Sequence, residues 1–234
     1  MEHPLSVLYL EHDGKVLLVD SDGIGPQSPE QNSTRETILR FPTKGEVANM
    51  GIEWNAKNTF NILGHEVIKC HPDIDWPESW AWKDDCISDN GVHPIAREAI
   101  YRSIHRLVSK VMILNPNGDV LMGKIERGHF VGHWTLPGGY MDHDEHPAIG
   151  CVRETLEEMG IDIELTNDAP IITQRIFTDE GISFVSFTYK SQWSGMDSEI
   201  KLKENEISEF AWLSKTDAIN LAVSGFDIAA LMSL

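Results

Sequence analysis

The segment Pro137–Ile161 constrains this chain more than any other stretch. From Pro147 onward, Ala148, Cys151, Val152, Thr155 and Met159 recur at helical spacing, which predicts a helix with one buried stripe. Glu154, Glu157 and Glu158 stand at i, i+3 and i+4, so three carboxylates share one side of that helix. Like charges at this spacing destabilise an isolated helix. A hard divalent cation relieves them, because Mg²⁺ and Mn²⁺ prefer oxygen ligands: a few carboxylates, water and substrate phosphates. Gly160 is placed to stop the helix in the left-handed conformation. Pro137-Gly138-Gly139 forms a nearly bare loop before the helix, where backbone can approach a metal or a phosphate closely. A solvated acidic face would explain Glu157 and Glu158, but not the glycines, Glu145 and Arg153 in the same array.

These residues resemble the Nudix box. Gly139, Glu145, Arg153, Glu154, Glu157, Glu158, Gly160 and Ile161 all fall on its specified positions. Thr155 is the one departure, standing where the box has a bulky aliphatic residue. The flanks are similar too. His133-Trp134-Thr135-Leu136 looks like the strand before the box, Phe184–Tyr189 like a central strand, and Glu206–Trp212 like the late acidic loop and final strand. The resemblance implies an α/β (α+β) Nudix fold, a mixed β-sheet sandwiched between helices, over about residues 108–234. It implies hydrolysis of a nucleoside diphosphate linked to another moiety, with Mg²⁺ or Mn²⁺ as cofactor. Glu154, Glu157 and Glu158 would bind the metal, with the Gly138 carbonyl as a further ligand. Glu145 and Arg153 would form a salt bridge that positions loop and helix. The proton acceptor stays open among Glu206, its neighbour Glu204, Glu157 and Glu154. Lys124, Arg127 and His129 are candidate phosphate contacts, and Trp134, Tyr140 and Phe184 candidate base-stacking groups. Surface cations mostly touch no phosphate, and aromatics in a sandwich are mostly core.

The N-terminal half carries a second pattern. Asp13-Gly14 between apolar runs predicts a hairpin over 6–19. Asn117-Gly118 predicts another over 111–122, and Gly14 and Gly118 lie 104 positions apart. The same spacing pairs Val7 with Val111, Leu10 with Leu114, Val16 with Val120 and Leu17 with Leu121. Phe41-Pro42 then echoes Leu136-Pro137, and Trp80-Ala81-Trp82 echoes Phe210-Ala211-Trp212. We read residues 1–90 as a smaller β-rich domain and a degenerate copy of the C-terminal fold, without its long helix. The spacing from Pro94 predicts a connecting helix within 91–108, and 109–234 is the catalytic domain. Residues 21–37 read as a loop, 66–70 as a strand, and Trp76, Trp80 and Trp82 as N-terminal core. Cys70, His71, Cys86 and His93 hint at zinc, but no Cys-x-x-Cys pair supports it.

Composition removes other classes. Asp and Glu outnumber Lys and Arg by 37 to 19, a formal net charge of -18. That field repels nucleic acid and anionic membranes, so phosphate chemistry needs a local cation. The expected partner is a small-molecule nucleotide substrate, with no nucleic acid and no membrane; a homodimer is compatible. Three scattered cysteines and no signal-like N-terminus favour a cytoplasmic protein. Two alternatives remain: a regulator that senses a nucleotide without cleaving it, and an NADH pyrophosphatase-like enzyme. The first class has an eroded box and a basic DNA-binding domain. The second has a cysteine quartet that is missing here. A Nudix-fold isomerase would use a strand cysteine, whereas Cys151 falls on the helix stripe.

Overall fold

The computed structural model describes residues 6–29, 38–128, 130–177 and 181–234. Most of the loop expected at 21–37 lies outside them. The chain divides into two compact units. One takes residues up to His105 together with Ile176–Ser183, and the other Arg106–Arg175 and Phe184–Leu234.

In the first unit, β1 (Ser6–His12) turns at Asp13-Gly14 into β2 (Lys15–Val16). Then come α1 (Lys44–Asn49), β3 (Trp54–Ile62), β4 (His65–Pro72), β5 (Ala81–Trp82), α2 (Lys83–Ile87) and α3 (Pro94–Ser103). The sheet order is β3-β4-β1-β2-β5, with β1 parallel to β4 and the other neighbours antiparallel. Side chains alternate across it. Leu8, Leu10, Leu17, Ile68 and Trp80 bury one face with Val47 of α1. Val7, Tyr9, Val16 and Leu18 bury the other with Ile95, Ala96, Ala99 and Ile100 of α3.

The second unit holds β6 (Arg106–Leu114), β7 (Val120–Ile125), β8 (Trp134–Thr135), β9 (Gly138–Tyr140), α4 (Pro147–Met159), β10 (Ile171–Phe177), β11 (Ile182–Gln192), β12 (Ile207–Leu213), α5 (Lys215–Leu221) and α6 (Gly225–Met232). Its sheet runs β10-β11-β6-β7-β12, with β8 beside β7 and β9 beside β6. β6 is parallel to β11 and antiparallel to β7, and β7 is antiparallel to β12. One face packs under Cys151 and Met159 of α4, through Val111, Ile113, Leu121 and Tyr189. The other packs under Ala218, Ala230 and Leu231 of α5 and α6, through Met112, Val120 and Met122.

The two sheets have the same strand order and the same directions. Three pairings fix the correspondence. Val19 bridges Arg40 as Gly123 pairs with Thr135. Leu8 donates its N–H to the Pro42 carbonyl as Val111 does to that of Pro137. Glu11 faces Val16 as Leu114 faces Val120. The sequence match is therefore right for Val16, Leu17 and Pro42 but one residue out of step along β1. Leu8, not Val7, stands where Val111 stands, because the second hairpin loop is one residue longer. Trp80, not Trp82, takes the place of Trp212: Val16 faces Ala81, the residue after Trp80, as Val120 faces Leu213.

Other expectations change as well. The helix from Pro94 ends at Ser103, and Arg106 opens β6. Four residues of α3 lie in the first core, so this helix belongs to that unit rather than connecting two. Trp80 is buried, but Trp76 and Trp82 are half exposed. Cys70 and Cys86 lie on opposite faces of the first sheet, and His93 caps α3 by accepting the Ile95 N–H. The zinc reading fails on that geometry. No helix among the described residues is long and apolar enough to cross a membrane.

Candidate active site

The site forms where α4 lies over β9. Cys151, Thr155 and Met159 anchor the helix, and Gly160 ends it at φ 68°. His146 caps its start through Nδ1, which accepts the Ala148 N–H, and Pro147 occupies the first turn. That cap was not legible beforehand, because histidine is a less usual cap than Ser, Thr, Asp or Asn.

The glycines sit where side chains would collide. Gly138 adopts φ 135°, and a Cβ there would lie 2.2 Å from the Ser109 carbonyl oxygen. A Cβ on Gly139 would lie 2.7 Å from the Glu154 carboxyl carbon. The bare backbone thus lets β9 approach both β6 and the α4 carboxylates.

The three box glutamates have different surroundings. Glu158 accepts the Gly138 N–H at 3.0 Å. Burial of its carboxyl end pushes its pKa up to about 7, opposed by the Gly138 N–H and the Lys110 charge and reinforced by Glu154 and Glu206. Glu154 is also raised, chiefly by burial, although Arg153 lies 2.9 Å away. Glu157 points outward, half exposed, to Arg153 at 3.2 Å and Lys203 at 3.6 Å.

Arg153 ties the loop to the helix. It grips Glu145 with two bonds of 2.8 and 2.9 Å and donates to the Tyr140 carbonyl. The Arg153 guanidinium holds the Glu145 carboxyl below its ordinary range. Glu145 also accepts the Asp142 N–H. The expected salt bridge is present and bidentate, a geometry suited to fixing orientation.

Glu206 lies near the same carboxylates but is held by cations. Lys203 bonds it at 2.8 Å and Arg127 pairs with it, and these contacts lower its pKa. Lys124 pairs with Glu209 at 3.3 Å instead of facing the box. Trp134 is part of the core against α5 and α6. Tyr140 is exposed, with its ring 6.1 Å from that of Phe184, which in turn lies 6.0 Å from Phe226. Glu204 is exposed. His129 lies outside the described residues.

Sequence reasoning missed Lys110, Asp227 and Lys203. The first two could have been noticed, each being the lone charge in an apolar run: Leu107–Leu114 and Phe226–Met232.

Among the described residues, no three His, Cys, Asp or Glu side chains converge enough to cage a cation unaided. The donor set nevertheless suits a hard cation. Two crowded, part-buried carboxylates face a bare loop, and Mg²⁺ commonly takes few protein ligands and completes its shell with water and phosphate.

Comparison with known proteins agrees with this geometry. Residues 104–231 match the NUDIX domain model, more than half of the chain. The chain therefore belongs to the NUDIX family and is a Nudix hydrolase. It is 26% identical over 136 residues to an RNA pyrophosphohydrolase of Roseobacter denitrificans, covering 52% of this chain and 84% of that one. It is 29% identical over 119 residues to Nudix hydrolase 2 of Arabidopsis thaliana. That match covers 50% of this chain and spans only 41% of the Arabidopsis protein. Among solved structures, a MutT protein from Methanosarcina mazei covers 55% of this chain and 91% of its own, at 22% identity and a TM-score of 0.47.

Proposed function

We propose that this chain hydrolyses the phosphoanhydride bond of a nucleoside diphosphate linked to another moiety, with Mg²⁺ or Mn²⁺ bound at the box. The observation that carries this reading is the pair Glu154 and Glu158, part-buried carboxylates packed against Gly139 and Gly138. Two such acids cost stability unless a cation neutralises them. Glu154, Glu158 and the Gly138 carbonyl would hold the metal, and Glu157 stands at its outer side. When bound, such a metal neutralises charge developing on the diphosphate and lowers the pKa of bound water.

The chain's own residues do the rest. Arg153 and Glu145 hold β9 against α4, so that the Gly138 carbonyl and the carboxylates keep one geometry. Lys203 and Arg127 supply positive charge beside the acidic cluster, where an anionic substrate otherwise meets repulsion. Glu206 is ionised and able to accept a proton once Lys203 or Arg127 turns to phosphate. Tyr140 offers an exposed aromatic face for a base or ribose.

The test is a product screen. The pure chain is incubated with Mg²⁺ or Mn²⁺ and ADP-ribose, NADH, dinucleoside polyphosphates, coenzyme A, sugar nucleotides or 5′-triphosphorylated RNA. Mass spectrometry identifies the products. Metal-dependent cleavage at a phosphoanhydride in one class supports the reading and names the substrate. Binding of a nucleotide with no cleavage would favour a sensing role.

A further inference from the structure

One buried charge pair lies behind the site, and nothing so far gives it a role. Lys110 on β6 places its ammonium 2.9 and 3.0 Å from the two carboxylate oxygens of Asp227 on α6. The Asp227 side chain is wholly buried, and that of Lys110 nearly so. A buried ion pair gives up hydration on both partners, so it contributes little net stability compared with an apolar pair of the same size.

The first unit shows that this fold does without the pair. Val7 stands where Lys110 stands, one residue before the strand residue whose N–H meets the loop proline. Val7 is apolar core beside Tyr9, under α3. Phe41 stands where Leu136 stands and stacks on Tyr9 at 4.9 Å. The same sheet is thus built twice, once with a hydrocarbon and once with a charge at this position. Only the copy with the box has the charge.

The pair's contacts lead to the metal-facing loop. Asp227 accepts the Leu136 N–H at 3.1 Å and the Thr135 hydroxyl at 2.8 Å. Lys110 donates to the Thr135 hydroxyl at 2.6 Å and reaches the Leu136 carbonyl at 3.4 Å. Both backbone polar groups of Leu136 are therefore held. Pro137 and Gly138 follow at once, and Gly138 is the register partner of Lys110 across β6 and β9. We propose that Lys110 and Asp227 are positioning residues that lock Leu136-Pro137-Gly138, so that the Gly138 backbone and Glu158 meet a divalent cation in one geometry. This rests on the metal-dependent reading above. Groups two bonds out from a metal commonly govern its affinity by orienting the inner ligands.

The test measures Mn²⁺ alone, by calorimetry or electron paramagnetic resonance, on the full chain. The key variant is the double substitution Lys110→Met with Asp227→Leu, which imitates the hydrocarbon of the first unit. A purely structural pair predicts wild-type Mn²⁺ affinity and wild-type kcat in this variant. The proposal predicts a retained melting transition but an Mn²⁺ affinity and kcat lower by about 10- to 100-fold, with KM changed little. A folded double variant that binds Mn²⁺ like wild type overturns it. Should the double variant not fold, Thr135→Val keeps both charges and removes only the hydroxyl between them. That variant is expected to weaken Mn²⁺ by roughly tenfold, toward the low end of the same range, and unchanged affinity there overturns the proposal as well. Wild-type protein that binds no Mn²⁺ contradicts the metal reading instead, which separates the two failures.

Discussion

The two units differ most where their sheets are most alike. In the first, Pro42 is followed by Thr43, which caps a six-residue helix at once, its side chain accepting the Glu46 N–H while Glu46 accepts that of Thr43. In the second, Pro137 is followed by Gly138 and Gly139, a loop, and a helix of thirteen residues. The short version satisfies its helix end locally and presents no carboxylate cluster. The long version holds two carboxylates against bare backbone. The sheet is a scaffold common to both units, and the chemistry lies in what is inserted between the proline and the helix. In each unit the sheet buries two apolar faces, and only one unit adds strain and buried charge to that frame.

The largest contrast comes from the two helices. Glu158→Gln is expected to lower turnover by orders of magnitude while leaving the melting curve of the metal-free protein intact or raised. Steady-state kinetics on the cleaved substrate and a thermal scan check both parts. Gly139→Ala comes next. Its Cβ would collide with the Glu154 carboxylate, so a loss of about 10- to 100-fold in kcat is expected. Restored activity at high Mn²⁺ would locate the defect in metal binding.

A pH effect follows from Glu158. Its folded pKa, about 7, lies above the ordinary 4.5. The folded state therefore holds this proton more tightly than the unfolded chain does. The stability it contributes is full below about pH 4.5 and is lost as pH rises through about 7. Metal-free protein should lose up to about 3 kcal/mol over that window from this group. Glu158→Gln should flatten the curve, and Mn²⁺ should restore wild-type stability at the upper end by mass action. Chemical denaturation from pH 4.5 to 8 measures all three.

The smallest effect belongs to the first unit. Thr43→Ala removes a helix cap and should cost about 1 kcal/mol. It should leave kcat and Mn²⁺ affinity unchanged. A large fall in turnover would show that the first helix takes part in the chemistry, and the contrast between the units would collapse.

Much of this was legible in the sequence, for identifiable reasons. α4 was readable because helical periodicity, the Gly160 stop and the carboxylate spacing agree. The Arg153–Glu145 bridge was readable only through the resemblance, since eight positions separate the partners along the chain. The duplicated sheet showed as an echo of hairpins, but its β1 register was one residue off, since loop length and not composition sets register. Trp82 was mistaken for the counterpart of Trp212 because adjacent tryptophans look alike in sequence while facing opposite sides of a strand. The Lys110–Asp227 pair joins residues 117 positions apart, and no local pattern foretells it. The different states of Glu154, Glu157 and Glu158 were also hidden, because they depend on how far β9 covers each one.

The most direct test of the central claim is anomalous scattering from a crystal of the full chain grown with Mn²⁺. A manganese peak bound by Glu154, Glu158 and the Gly138 carbonyl, with none on the first unit, is the predicted result. A peak away from these carboxylates, or none there at saturating Mn²⁺, would contradict it.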